Sequence, residues 1–298
     1  MTEHQVSEHQ VSEHQVSEHQ VSGDDVSGHI APVDITSVNV VSEDGTTLAV
    51  DTIGQGAPVV LVGGAFNDRS TVAALAAELA PAFTVLTYDR RGRGASDDRS
   101  EDYQVVNEVA DLAAVIEHAG GRASLFGHSS GAVLVLEAAR RGLPIDRVAV
   151  YEPPYHADDD QPGPAADVYD RLRALVAAGD RDGATELFLR DAVGVPAEAI
   201  AGIKAGEGWA FMADKALSLP YDVLVTAPWQ GRPHERVAGI GVPVLAVYGD
   251  RTSPGLAKAT EAVAAALPGA ELRVMPGEDH AVLQRPAALA RILTEFFA

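Results

Sequence analysis

The sequence predicts an α/β fold, with a mostly parallel sheet covered by helices on both faces. Three observations predict it. Short apolar runs alternate with helical patterns over most of the chain, which is how a parallel sheet with crossover helices reads. Several of the runs, such as Val59-Val60-Leu61-Val62, are apolar without a break, as expected of strands buried on both faces. Finally, Gly127-His128-Ser129-Ser130-Gly131 stands between a strand-like run, Ala123-Ser124-Leu125-Phe126, and a helix-like run that begins at Ala132.

The elements follow in order. Residues 3–22 repeat Glu-His-Gln-Val-Ser four times. A period of five matches neither 3.6 nor 2, so no apolar face builds up. Residues 1–30 are read as a disordered tail and 31–298 as the folded domain. His4, His9, His14 and His19 could chelate transition metals weakly, but a solvated repeat is the favoured reading and no metal site is assigned.

Within the domain, runs at 35–42 and 47–53 flank Glu43-Asp44-Gly45, a hairpin turn signal. Strands follow at 59–62, 83–88, 123–126 and 147–151. Helices are expected at 70–80 and 104–119, and after the elbow motif. The alternation stops at Glu152-Pro153-Pro154. Residues 156–236 carry Pro- and Asp-rich loops and helical patterns at 165–178, 184–193 and about 199–218. Strands at 243–248 and 271–275 and helices at 255–267 and 286–297 complete the chain. The core is therefore expected over 31–155 and 237–298. The helical segment about 156–236 reads as a lid over the C-terminal ends of the strands, where open α/β sheets place their sites.

Composition narrows the function classes. The formal net charge is −21, from 22 Lys+Arg against 43 Asp+Glu. Such a surface argues against nucleic-acid or anionic-membrane partners. The chain has no cysteine. Disulfides, thiolate nucleophiles and Cys-based zinc sites are thereby excluded. There is no basic region followed by an apolar core near the start, and no apolar run of the ~18 residues a membrane span needs. A cytoplasmic location is the expectation.

The chemistry centres on Ser129. In a G-x-S-x-G turn between strand and helix, the serine hydroxyl projects from the sheet edge and the helix N-terminus lies behind it. The glycines answer a steric need, since side chains two residues away on either side would clash in so tight a turn.

Four motifs in order carry a wider resemblance. They are Leu61-Val62-Gly63-Gly64-Ala65-Phe66, Tyr88-Asp89-Arg90-Arg91-Gly92-Arg93-Gly94-Ala95-Ser96, Gly127-His128-Ser129-Ser130-Gly131 and Pro276-Gly277-Glu278-Asp279-His280. On these the chain resembles the α/β-hydrolase superfamily over about residues 35–297. The resemblance implies the α/β-hydrolase fold with a helical lid inserted. It makes Ser129 the nucleophile and His280, after the last strand, the general base. The oxyanion donors would be the backbone N–H groups of Ser130 and Ala65, with Phe66 as neighbour. Relatives have His-Gly where this chain has Gly63-Gly64, which removes a side chain that steadies that loop. The segment Arg90–Gly94 reads as structural, and so does Asp89.

The triad acid departs from the common pattern. Its usual position, after the strand that follows the lid, falls on Thr252, which cannot hold negative charge. Asp250 lies two residues early. Glu152, at the end of the strand after the elbow helix, occupies the other position that some relatives use. Glu152 is preferred over Asp250.

The expected activity is hydrolysis of a carboxylic ester, lactone or related small acyl substrate through an acyl-serine, without metal or organic cofactor. Two alternatives stay open. One is C–C bond hydrolysis, lyase or cyclase chemistry on the same fold in specialised metabolism. The other is a non-catalytic ligand-binding receptor. Trp209, Phe211, Met212, Leu217, Leu219 and Trp229 are candidates either for an apolar substrate wall or for the lid's own core.

Overall fold

The computed structural model describes residues 34–99, 102–157, 164–226 and 233–298. The repeat at 3–22, the tail 1–30 and Trp229 lie outside the described residues. Among the described residues eight strands form one sheet: β1 (Thr36–Val41), β2 (Thr47–Ile53), β3 (Ala57–Val62), β4 (Phe83–Tyr88), β5 (Ala123–His128), β6 (Ile145–Tyr151), β7 (Val244–Gly249) and β8 (Glu271–Met275). Their order across the sheet is β1-β2-β4-β3-β5-β6-β7-β8. Antiparallel pairing is confined to β1/β2 and β2/β4. From β4 to β8 every pairing is parallel.

The apolar runs explain this arrangement. A strand covered on both faces needs apolar residues at odd and even positions alike. Val59 and Leu61 of β3 face one core cluster, and Val60 and Val62 face the other. The first face is covered by α1 (Arg69–Leu79) and α11 (Ala287–Phe297). The second is covered by α2 (Val105–His118), α3 (Ser130–Arg140) and α10 (Pro254–Ala266). The neighbours β3 and β5 send their crossovers in opposite directions, β3 to β4 and β5 to β6. Their C-terminal ends thus flank the point where open α/β sheets bind ligands.

The segment between β6 and β7 is a helical insertion: α4 (Val168–Ala177), α5 (Arg181–Leu187), a π-helical turn (Phe188–Val193), α6 (Ala197–Lys204), α7 (Gly208–Asp214), α8 (Leu219–Thr226) and α9 (Pro233–Val237). Here the structure differs from the sequence reading. The pattern at 199–218 is two helices, parted at Ala205-Gly206-Glu207. The sequence reading also stopped short of α8 and α9. Val225 of α8 and Val237 of α9 belong to the main core, while Leu219 and Val223 of α8 close a smaller one with Val168, Leu172 and Phe188. Helix α8 is apolar on two sides because it serves two cores, so it shows no single stripe. Among the described residues no helix is long and apolar enough to cross a membrane.

Gly131 marks where α3 meets the sheet. A Cβ there would lie 2.4 Å from the Val62 oxygen and 2.6 Å from the Gly63 oxygen. Both are backbone atoms that cannot swing aside. Gly131→Ala is expected to destabilise the fold by about 1–3 kcal/mol through overpacking, measured as a lowered urea midpoint at unchanged slope. An unaltered midpoint would show that α3 shifts freely.

Candidate active site

Among the described residues, the non-glycine residues with positive φ are Phe66 (59°), Ser129 (55°) and Glu152 (49°). Each follows the C-terminal end of a central strand: β3, β5 and β6. Backbone held in this region costs of order 1–3 kcal/mol per residue and persists where its surroundings enforce it. For Ser129 the enforcement is visible. Its N–H donates to the Tyr151 oxygen at 2.9 Å, and its own oxygen accepts from Ala132 N–H at 2.9 Å. A Cβ at Gly127 would lie 2.5 Å from the Gly131 oxygen. The turn therefore leaves no room for a side chain at 127 or 131. His128 and Ser130 are buried while Ser129 between them is half-exposed.

Glu152 and His280 meet directly. His280 Nδ1 lies 2.6 Å from Glu152 Oε2. An ionised carboxylate only accepts, so Nδ1 carries the hydrogen, and in the neutral imidazole Nε2 then has the lone pair. The Glu152 side chain has no exposed surface, whereas that of His280 is 42% exposed. The buried carboxylate accepts two further hydrogen bonds, from Gly249 N–H to Oε1 at 2.9 Å and from the Thr252 hydroxyl to Oε2 at 2.8 Å. Asp250 does not reach this cluster. It is exposed, and its Oδ1 accepts from Gly277 N–H at 2.7 Å, which fastens the turn after β8. Thr252 is thus one of the donors that hold a carboxylate carried at the end of β6.

The loop that carries His280 is clamped by the neighbours of the other two residues. Tyr151, next to Glu152, donates its hydroxyl to the Asp279 oxygen at 2.8 Å. His128, next to Ser129, has Nε2 at 3.0 Å from the His280 oxygen and donates to it. Their rings lie 4.7 Å apart, tilted by 35°. Burial, with His280 alongside, pushes the His128 imidazole down to about 3. It is therefore a neutral donor throughout the physiological range.

On the far side of Ser129 lies the loop after β3. A Cβ at Gly64 would fall 2.7 Å from Ser129 Cβ, so this backbone passes directly against the serine. A Cβ at Gly63 would fall 2.7 Å from Asn67 Cβ. Asn67 thus fills the space where a residue-63 side chain would begin, and its Oδ1 accepts from Gly64 N–H at 2.9 Å. The steadying group that the Gly63-Gly64 pair lacks is supplied four residues on. Phe66 leans into the helical insertion, edge-on to Phe188 at 5.4 Å between ring centroids.

Behind this loop is a buried ionic cluster that sequence reasoning missed. Arg90 pairs with Glu108 and, at 3.0 Å, with Asp222 of α8. Arg93 Nη2 donates to both oxygens of Asp222 at 2.8 Å, and Arg93 Nη1 donates to the Gly64 oxygen. The Ser130 hydroxyl donates to Asp222 Oδ1 at 2.6 Å. Burial pushes the Asp222 carboxyl up, but Arg93 and Arg90 outweigh it and hold it below its ordinary value. No sequence signal pointed to Asp222, since an aspartate in a weakly amphipathic helix reads as a surface residue. Asp89 has the turn-fixing place expected of it, accepting from Arg69 N–H and Ala95 N–H at 2.8 Å each. Arg91 is structural as well, held by Asp111 and Asp44.

The model of the alpha/beta hydrolase family matches residues 59–292. The chain belongs to this family. It is an enzyme of the hydrolase class. It is 43% identical to an alpha/beta hydrolase of known structure from Sphaerobacter thermophilus, with a TM-score of 0.80 over 88% of this chain and all of that one. It is 28% identical over 260 residues to the 2-(acetamidomethylene)succinate hydrolase of Mesorhizobium japonicum, covering 84% of this chain and 91% of that protein. An enol-lactonase from Burkholderia xenovorans, 20% identical over 87% of this chain and 99% of that one, shares the fold with a TM-score of 0.67. Of the aromatic and apolar residues of the insertion, Leu219 is fully buried in the insertion's core. Trp209 packs with Leu189 and Ile200, where Phe66 and Met212 join them. Phe211 and Leu217 are exposed.

The low pKa of His128 has a consequence for stability. The folded protein keeps the ring neutral down to about pH 3, while the unfolded chain takes up a proton near its ordinary value of about 6.5. The contribution is therefore complete above pH 6.5 and shrinks as the pH falls toward 3, by about 1.4 kcal/mol per unit. Between pH 7 and 5, His128→Gln is expected to lose about 2 kcal/mol less unfolding free energy than the parent. Urea titrations at the two pH values measure this; parallel losses in both proteins would contradict it.

Proposed function

We propose that this hydrolase cleaves a carboxylic ester, lactone or related acyl compound through an acyl-Ser129 intermediate. The observation that carries the reading is the hydrogen bond from His280 Nδ1 to the buried Glu152 beside a serine held at positive φ. An imidazole oriented in this way has Nε2 free to take a proton, and a serine hydroxyl needs such a base to become a nucleophile.

In the first half-reaction the Ser129 hydroxyl adds to the substrate carbonyl and His280 takes its proton. Glu152 keeps the imidazole in the correct tautomer and stabilises its positive charge. The carbonyl oxygen becomes negative and is met by the N–H groups of Ser130 and Ala65, with Phe66 shaping the same loop. The N-terminus of α3 adds its dipole there. Collapse expels the alcohol, which takes the proton from His280. Water then enters: its oxygen bonds the acyl carbon as His280 takes one of its protons, and the bond to Ser129 breaks as His280 returns that proton to the serine oxygen, which releases the acid. The net change is one ester and one water to one acid and one alcohol. We further propose that the helical insertion acts as the lid of the site, since Phe66 already packs against it.

The test is a fluorophosphonate label read by intact mass and peptide mapping, followed by ester turnover. Ser129 is expected to carry the label, and Ser129→Ala to abolish it. Glu152→Gln is expected to lower kcat by about 10³–10⁴-fold, as loss of the tautomer-fixing carboxylate does in a serine triad. Asp250→Asn is expected to leave kcat within about two-fold. Near-normal turnover in Glu152→Gln would remove Glu152 from its role. Turnover without any acyl-Ser129 species would move the reading to C–C cleavage, lyase or cyclase chemistry.

A further inference from the structure

The ionic cluster behind the β3 loop is buried, charged and unused by the proposed chemistry. Its geometry bears on two backbone N–H groups. The peptide joining Gly64 to Ala65 is trans, so its C=O and N–H point in opposite directions. Arg93 Nη1 holds the Gly64 oxygen. The Ala65 N–H must then point away from Arg93, and it finds no acceptor among the described residues. The second N–H belongs to Ser130, in the first turn of α3, where intrahelical acceptors are lacking. The Ser130 side chain is tied to Asp222 at 2.6 Å, and Arg93 is tied to both oxygens of the same carboxylate. One buried group thus bonds Ser130 directly and reaches, through Arg93, the Gly64 oxygen, which also accepts from Asn67 N–H at 3.2 Å.

We propose that Asp222, acting through Arg93 and Ser130, is a positioning residue that aims the Ala65 and Ser130 N–H groups at one point beside Ser129. This rests on the acyl-serine reading above. Asp222 belongs to α8, in the helical insertion. The aim of the donors therefore depends on the insertion being seated on the core. Arg90 completes the arrangement: it bonds Asp222 and the Ser130 hydroxyl with one nitrogen, and its other two nitrogens go to Glu108. Asp222 is left with two guanidinium partners and one hydroxyl donor.

A role in aiming donors differs measurably from a role in holding the fold. A purely structural role changes how much protein is folded, and so how much Ser129 takes the label. A positioning role changes the rate of each labelled site and the binding of a tetrahedral mimic. The experiment uses the full-length protein with p-nitrophenyl acetate as substrate, butylboronic acid as the tetrahedral mimic and the fluorophosphonate to count active sites.

For Asp222→Asn, kcat per active site is expected to fall by about 10²–10³-fold, the scale of losing one oxyanion donor. KM should stay within about three-fold, because the ground-state carbonyl uses these donors less than the transition state does. Boronate affinity should weaken in step with kcat. Arg93→Lys, milder for folding, should do the same, because one ammonium cannot replace the fork that grips Asp222 and Gly64 together. It carries the test if Asp222→Asn does not fold. A folded variant with kcat per site and boronate affinity both within about two-fold of the parent overturns the proposal. A parent protein whose Ser129 takes no label overturns the acyl-serine reading itself, and this inference with it.

Discussion

A carboxylate with no exposed surface must be compensated inside the protein, and Glu152 is such a group at the end of β6. Removing an ion from water costs several kcal/mol unless charge-assisted hydrogen bonds replace the lost solvation. The replacements come from the end of β7 (Gly249 N–H), the loop beyond it (Thr252) and the loop after β8 (His280). Two segments, 249–252 and the loop that carries His280, are thereby drawn to the end of β6. His280, whose side chain is 42% exposed, is the one of these donors able to change its protonation. The remaining two are fixed, so the carboxylate keeps part of its solvation when the imidazole moves. The contacts that compensate the buried charge are also the ones that orient the His280 imidazole.

The buried cluster of Arg90, Arg93, Glu108 and Asp222 mirrors this on the opposite side of Ser129. Its charges are also removed from water, and apart from Arg93 Nε their polar atoms meet partners from distant segments, including a helix of the insertion. The two networks hold different things. The Glu152 network holds a side chain, the His280 imidazole. The Asp222 network holds backbone, through the Gly64 oxygen and the Ser130 hydroxyl. Strained backbone at Phe66, Ser129 and Glu152 lies between them, and rigid buried bonds on both sides are what such strain needs to persist.

Much of the fold was legible in the sequence because strands buried on both faces leave an unbroken apolar signature, as at Val59–Val62 and Val244–Val247. The elbow was legible because sterics permit few residues at 127 and 131. The insertion was harder to read. Helix α8 divides its apolar residues between two cores, and α6 and α7 are parted by Ala205-Gly206-Glu207 without a proline to mark the break. The buried ionic cluster was illegible for a different reason. Whether Arg90 and Arg93 lie inside depends on carboxylates 18 and 129 residues or more away, and no local pattern records that pairing. Asn67 had the same difficulty: its part in the β3 loop follows only once the empty space at Gly63 is seen in three dimensions.

The position of the acid shows how two sequence solutions can converge on one geometry. Strands in a sheet lie about 4.8 Å apart, so β6 and β7 offer two nearby origins for a carboxylate that serves the loop after β8. Here Oε2 of Glu152 lies within hydrogen-bond distance of both His280 Nδ1 and the Thr252 hydroxyl. An acid at residue 252 would start from the place where that hydroxyl now stands. Moving the origin to β6 lets a donor remain at 252, and the carboxylate gains a bond that a residue at 252 could not give itself. It also moves the acid beside Tyr151, whose hydroxyl holds the Asp279 oxygen and whose own oxygen holds Ser129 N–H. A single dipeptide, Tyr151-Glu152, then touches the serine turn, the histidine side chain and the histidine loop. That gathers these contacts at the end of one central strand.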